Sequence, residues 1–308
     1  MTEEQLLKNL SVPEGRIDAV LDTDTYNEAD DQFALAYMLG CGEKVSLKAV
    51  YAAPFFNEKS SSPKDGMLKS YDEIMSILEL ADRTELSGSV FRGAEEYLAD
   101  EKTPSASDAS RDLAARARLY SPERPLYVVA IAALTNIASA LIAAPEIAEN
   151  IVVVWLGGNA YHSGRDCREF NMEQDIAAAR VLFSSGVPVV QLPCAGVVTQ
   201  FAISEQEFRY WLGGKNKVCD FLVDNVMRAQ RDWDGMPWSR IIWDVTAAAW
   251  LMNDGGRFMD SALLPCRMPG YDLKYSPAAD GKLIRYVRYI DRDALFRDLV
   301  NKLLKYGN

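Results

Sequence analysis

Apolar residues along this chain gather in short unbroken runs instead of alternating with polar ones. Residues 17–22, 45–52, 126–131, 151–156 and 187–192 are apolar for most or all of their length. The stretches 32–39, 70–80, 109–120, 135–143 and 174–185 between them read as helices. Strands that are apolar throughout are buried on both faces, as in a parallel sheet covered by helices. The pattern therefore predicts the α/β class, with a Rossmann-like, mostly parallel central sheet and helices on both faces. The second half predicts helices at 205–212, 217–229 and 243–252, a β-prone segment at 284–290 and a terminal helix at 294–305. Two polar stretches, 58–69 and 99–110, read as loops. No repeat or composition break divides the chain, so one domain over 1–308 is expected. Ligands in such sheets bind at the C-terminal ends of the strands, where the polar clusters of this sequence fall.

Composition narrows the chemistry. The 308 residues carry 44 acidic against 33 basic side chains, which argues against an extended nucleic-acid surface. No apolar run reaches the roughly 20 residues of a membrane span, and the acidic N-terminus is unlike a signal segment. Five widely spaced cysteines predict free thiols in a reducing compartment, the cytoplasm. The one histidine, His162, excludes a zinc site built on histidines. Catalysis is left to carboxylates and a hard metal.

The sharpest local feature follows the first apolar run. Asp22, Asp24, Asn27, Glu28, Asp30 and Asp31 crowd into ten positions ahead of a predicted helix. Like charges at that density raise one another's pKa and oppose folding. A divalent cation removes the conflict, and hard cations prefer such oxygen-rich shells.

Four blocks in order complete the picture: Asp22-Thr23-Asp24 with Asp30-Asp31-Gln32-Phe33; Ala133-Leu134-Thr135-Asn136; Arg168-Glu169-Phe170-Asn171 with Asp175; and Trp243-Asp244. Together these blocks resemble the inosine–uridine-preferring nucleoside hydrolase family over about 17–300. The resemblance implies calcium-dependent hydrolysis of the N-glycosidic bond of ribonucleosides, in a homodimer or homotetramer. It implies a metal shell of Asp24, Asp31, the Thr135 backbone oxygen and Asp244, with Asp24 also the general base and Asp22 supporting the motif. Asp30, Asn57, Glu169 and Asn171 would hold the ribose, and Phe170 would shape the wall. Two other outcomes stand beside this one: a non-catalytic riboside-binding protein on the same scaffold, or a hydrolase of another N-riboside.

This chain departs from the family at the base end. Five residues, 25–29, separate Asp24 from the aspartate pair where the family has fewer, and Asn27 and Glu28 among them could add a ligand or reach the sugar. Trp243 stands where the best-known branch has a base-protonating histidine, so that route needs His162 to swing in. Stacking on Trp243, Trp238 or Trp233 is the substitute, which points to purines, because aromatic faces bind bases with little sequence demand.

Overall fold

The computed structural model describes residues 1–230, 235–277 and 281–307; Trp233 lies outside them. In chain order the elements are α1 (Glu3–Asn9), β1 (Ile17–Thr23), α2 (Asp31–Gly40), β2 (Val45–Ala52), α3 (Pro63–Leu80), β3 (Val90–Arg92), α4 (Asp108–Ala117), β4 (Leu126–Ala130) and α5 (Thr135–Ala143). There follow β5 (Ile151–Leu156), α6 (Phe170–Gln174), α7 (Ile176–Ser184), β6 (Val189–Leu192), β7 (Ala202–Ser204), α8 (Glu205–Trp211), α9 (Lys217–Ala229), β8 (Ser239–Ile241) and α10 (Val245–Trp250). The chain closes with β9 (Met259–Pro265), β10 (Arg267–Pro269), β11 (Tyr275–Pro277), β12 (Leu283–Ile290) and α11 (Arg292–Leu303).

Eight strands form the central sheet in the order β3-β2-β1-β4-β5-β6-β12-β9. Every pairing is parallel except β12 with β9. The α/β architecture expected from the apolar runs is therefore present, with one antiparallel edge that the sequence reading did not specify. Successive β1 side chains divide between the faces. Ala19 and Leu21 join an apolar cluster with α2, α10 and α11. Val20 faces a second cluster built on α4, α5 and α7. The sheet order reverses between β1 and β4, which opens a crevice at their C-terminal ends. Both the Asp24 segment and Ile131 emerge there, and the Ile131 amide donates to the Asp22 carbonyl at 2.9 Å.

Two element boundaries correct the sequence reading. The polar stretch 58–69 is a loop only as far as Ser62. That residue caps α3 by accepting from the Asp65 amide, and Pro63 occupies the first turn, where its missing N–H and fixed φ are favourable. Gly66 is required inside the helix: a Cβ there would collide with the Phe55 carbonyl. The predicted helix 174–185 is α7, which begins two residues later, at Ile176, behind the short α6 that the sequence reading did not specify. Asp175 ends α6 and caps α7 through the Ala178 amide.

Among the described residues no helix is long and apolar enough to cross a membrane. All five cysteines are buried.

Candidate active site

A cavity of about 210 Å³ opens at the crevice, lined by Asp24, Asn27, Glu28, Asp30, Asp31 and Asp244 on one side and by Glu169, Phe170, Asn171, Ile131, Cys194 and Trp243 on the other. Its acidic side is assembled by three element ends. Asp24 follows β1. Asp30 is the N-cap of α2 and Asp31 its first residue, and Asp244 is the N-cap of α10. Neither N-cap carboxylate bonds its own helix, so both are left to face one another. Oxygens of Asp30, Asp31 and Asp244 all lie within 4.8 Å of one another. Asp24 sits beside them, within hydrogen-bonding reach of Asp31.

Few protein donors answer these carboxylates. Thr23 Oγ1 donates to Asp31 Oδ1 at 2.6 Å, and the Trp243 amide donates to Asp30 Oδ2 at 3.0 Å. Asn136 Nδ2 donates to Asp22 Oδ1 at 2.8 Å. Both Asp24 oxygens, Asp30 Oδ1 and Asp22 Oδ2 are buried without a partner. Burial, reinforced by the neighbouring Asp30, pushes Asp31 up to about 7. Burial alone lifts Asp22 to about 7, against the opposing Asn136 bond. Burial and the adjacent Asp31 hold Asp24 well above the carboxylate range, and burial and Asp30 do the same to Asp244. Unpaired buried carboxylates are strongly unfavourable. An all-oxygen set with orphaned lone pairs fits a hard divalent cation such as calcium.

The opposite wall is more heavily bonded. The carboxylate of Glu169 caps α6, accepting from the amides of Asn171, Met172 and Gly158 at 3.0, 3.2 and 2.8 Å. Gly158 makes that reach with a φ of 72°, and Tyr275 closes on the space a Cβ would fill. Asn171 Nδ2 donates to the Ile131 and Leu156 carbonyls at 3.2 and 3.1 Å, tying the ends of β4 and β5. Asn159, absent from the sequence reading, pins the loop before α6 through the Asp166 and Arg168 carbonyls. Phe170 is 36% exposed at the mouth.

Asp24, Asp30, Asp31, Glu169, Phe170, Asn171, Trp243 and Asp244 thus meet around one cavity, while four other expected residues do not line it. Thr135 begins α5, and its hydroxyl donates to Asp175 at 2.7 Å; Ile131, four residues earlier, presents the β4 terminus to the cavity in its place. Asn57 lies one residue removed, its Nδ2 donating to Asn27 Oδ1 at 2.6 Å. His162 is exposed in the loop before α6. Trp238 packs on Phe208, with ring centroids 6.4 Å apart, and does not line the cavity.

Arg240 was not foreseen. It pairs with Glu28 from β8 and opposes the rise in the Asp30 pKa. Nothing in its sequence neighbourhood signals this, since the pairing joins positions 212 residues apart.

Residues 19–268 match the inosine-uridine preferring nucleoside hydrolase family. A putative pyrimidine-specific ribonucleoside hydrolase, RihB, of Shigella boydii is 38% identical over 76 residues, 24% of this chain and 31% of that protein. The chain thus aligns with under a third of that relative's length. The purine-preferring ribonucleoside hydrolase from Gardnerella vaginalis superposes with a TM-score of 0.72 at 19% identity, covering 94% of this chain and 98% of that one. An inosine-guanosine nucleoside hydrolase gives a TM-score of 0.74 at 16% identity, covering 95% and 100%. At those identities the two structures speak for the fold. The family match runs from within β1 through the Trp243-Asp244 block into β10, so the chain belongs to the inosine-uridine preferring nucleoside hydrolase family.

Proposed function

We propose that this protein is a calcium-dependent N-ribosyl hydrolase that cleaves the N-glycosidic bond of ribonucleosides to ribose and free base. The observation that carries the reading is the meeting of four buried carboxylates from two distant segments, with orphaned oxygens, in a cavity walled by Trp243 and Asn171. Asp30, Asp31 and Asp244 are the ligand set their mutual distances favour. Asp24 adds a carboxylate beside them, and Ile131 is the better-placed source of a backbone oxygen than Thr135. Bound calcium would supply a Lewis acid that orients the vicinal ribose hydroxyls and acidifies water.

The chain's own residues do the rest. Asp24, with both oxygens free and buried, accepts the proton of the water that attacks C1′. The carboxylates around it stabilise the positive charge that develops on the sugar as the bond to the base breaks. Asn171 spends its amide N–H groups on the strand ends, which leaves Oδ1 to accept from a sugar hydroxyl. Glu169 already accepts from three backbone amides, so its role is chiefly to hold Phe170 and Asn171 in position. Trp243 is fixed beside Asp30 through its amide and offers an aromatic face to the base. Purine preference follows from that stacking, because a purine presents the larger face.

The test is a reducing-sugar assay over purine, pyrimidine and other N-ribosides, with calcium and with chelator. Ribose release that requires calcium supports the reading. Calcium binding without ribose from any riboside sinks it in favour of a binding protein.

A further inference from the structure

Asn57 was expected on the ribose, yet it stands behind the cavity wall, and the residue it bonds there is Asn27. Asn27 is 6% exposed and lines the cavity from the inserted loop 25–29. We propose that Asn27 contacts the riboside in place of Asn57, donating from its side-chain amide to a ribose hydroxyl oxygen. The proposal deepens the riboside-hydrolase reading and rests on it.

The amide orientations along this path are set by their partners. The Lys59 amide donates to Asn57 Oδ1 at 2.9 Å, which turns Asn57 Nδ2 towards the loop. Asn57 Nδ2 donates in turn to Asn27 Oδ1 at 2.6 Å. Asn27 Nδ2 then has no acceptor among the described residues. The oxygen that a metal would need is engaged, whereas the N–H groups are left for a ligand. The Asn27 backbone is held as well, its amide donating to the Asp24 carbonyl at 2.7 Å. Asn27 therefore keeps a fixed place beside the segment that carries Asp24.

The surroundings show why one donor matters. Carboxylates dominate that side of the cavity, and carboxylates accept. Across the cavity, Asn171 spends its Nδ2 on the Ile131 and Leu156 carbonyls. A ribose hydroxyl that gives its proton to a carboxylate still carries lone pairs. Asn27 Nδ2 is the side-chain amide donor left to meet them. The support reaches the far wall. The Phe56 amide donates to Gln174 Oε1 at 2.8 Å, and Gln174 Nε2 donates to the Phe56 carbonyl at 3.1 Å. Gln174 ends α6, the helix that carries Phe170 and Asn171. Asn57 and Gln174 are thus positioning residues that hold Asn27 against the site.

The test pairs a deletion in the protein with deletions in the sugar. kcat/KM is measured for inosine, 2′-deoxyinosine and 3′-deoxyinosine. Calorimetric Kd is measured with calcium for methyl β-ribofuranoside and its 2- and 3-deoxy forms, which needs no turnover. Asn27→Ala should lower kcat/KM for inosine, and weaken the methyl riboside, by about three- to tenfold, the worth of one hydrogen bond. That penalty should vanish with one of the two deoxy sugars, the one lacking the contacted hydroxyl. Asn57→Ala should raise KM with kcat little changed, and should add nothing to Asn27→Ala in the double variant. An equal penalty on all three sugars would mean a loosened loop or a contact to the base, and overturns the proposal. So does the absence of a penalty, or additive effects of the two substitutions. The expected binding pattern with no ribose released from any nucleoside sinks the hydrolase reading but keeps the contact. Ribose release that ignores Asn27 does the reverse.

Discussion

Asp24 shows what a single residue in this site costs and contributes. It is 1% exposed, and neither oxygen has a partner. Its replacement by Asn should lower ribose release by about 10²–10⁴-fold, the usual worth of a general base. The same change removes an uncompensated buried acid, so the metal-free variant should melt at or above the parent's temperature at pH 8. A large fall in melting temperature would refute the view that this carboxylate is held against its own solvation. Thr135 shows a side chain committed elsewhere: its hydroxyl donates to Asp175 at 2.7 Å. Thr135→Val should therefore cost about 1 kcal/mol for the lost hydrogen bond, measured by denaturant unfolding; an unchanged stability would refute that contribution.

At the scale of elements, helix termini do the assembling. α2 and α10 bring Asp30 and Asp244 together at their N-termini, where free amides and the helix dipole favour negative charge. Asp31 follows Asp30 into the first turn of α2. The capping carboxylates bond no amide of their own helices, which keeps them available for a cation. A different logic governs α3. Ser62 caps it directly, so Ser62→Ala should destabilise the protein by about 1 kcal/mol, measured by denaturant unfolding. Activity should persist, since α3 only backs the inserted loop. Helix starts and stops were where the sequence misled most. Pro63 and Gly66 look like breakers, yet one sits at a permitted first-turn position and the other meets the Phe55 backbone, a contact visible only in three dimensions.

For the whole molecule, the buried acids tie stability to pH and metal. Asp22 and Asp31 titrate near 3.8 when unfolded and near 7 when folded. Between those values the folded chain holds more protons than the unfolded one, so its stability falls as pH rises from about 4 through about 7. Melting temperatures taken in chelator should trace that decline. A hard divalent cation would bind these carboxylates in their ionised form, so added calcium should raise the melting temperature most at and above neutral pH. A chelated protein whose stability climbs from pH 4 to 7 would contradict the clustering of these acids.

The order of apolar runs, the packing of Asp24, Asp30 and Asp31 into one short segment and the Trp243-Asp244 pair were legible in the sequence. Each is local or periodic, and burial on both faces or charge crowding leaves a direct mark on composition. Tertiary structure decided what depends on contacts across the chain. It set Ile131 and not Thr135 in the cavity wall at the end of β4, committed Glu169 to backbone amides, left His162 at the surface, and brought Arg240 to Glu28. None of these carries a spacing signal, because each is set by where strand ends and helix starts converge. The carboxylate cluster was written in motifs, and the rest of the cavity wall was written in packing.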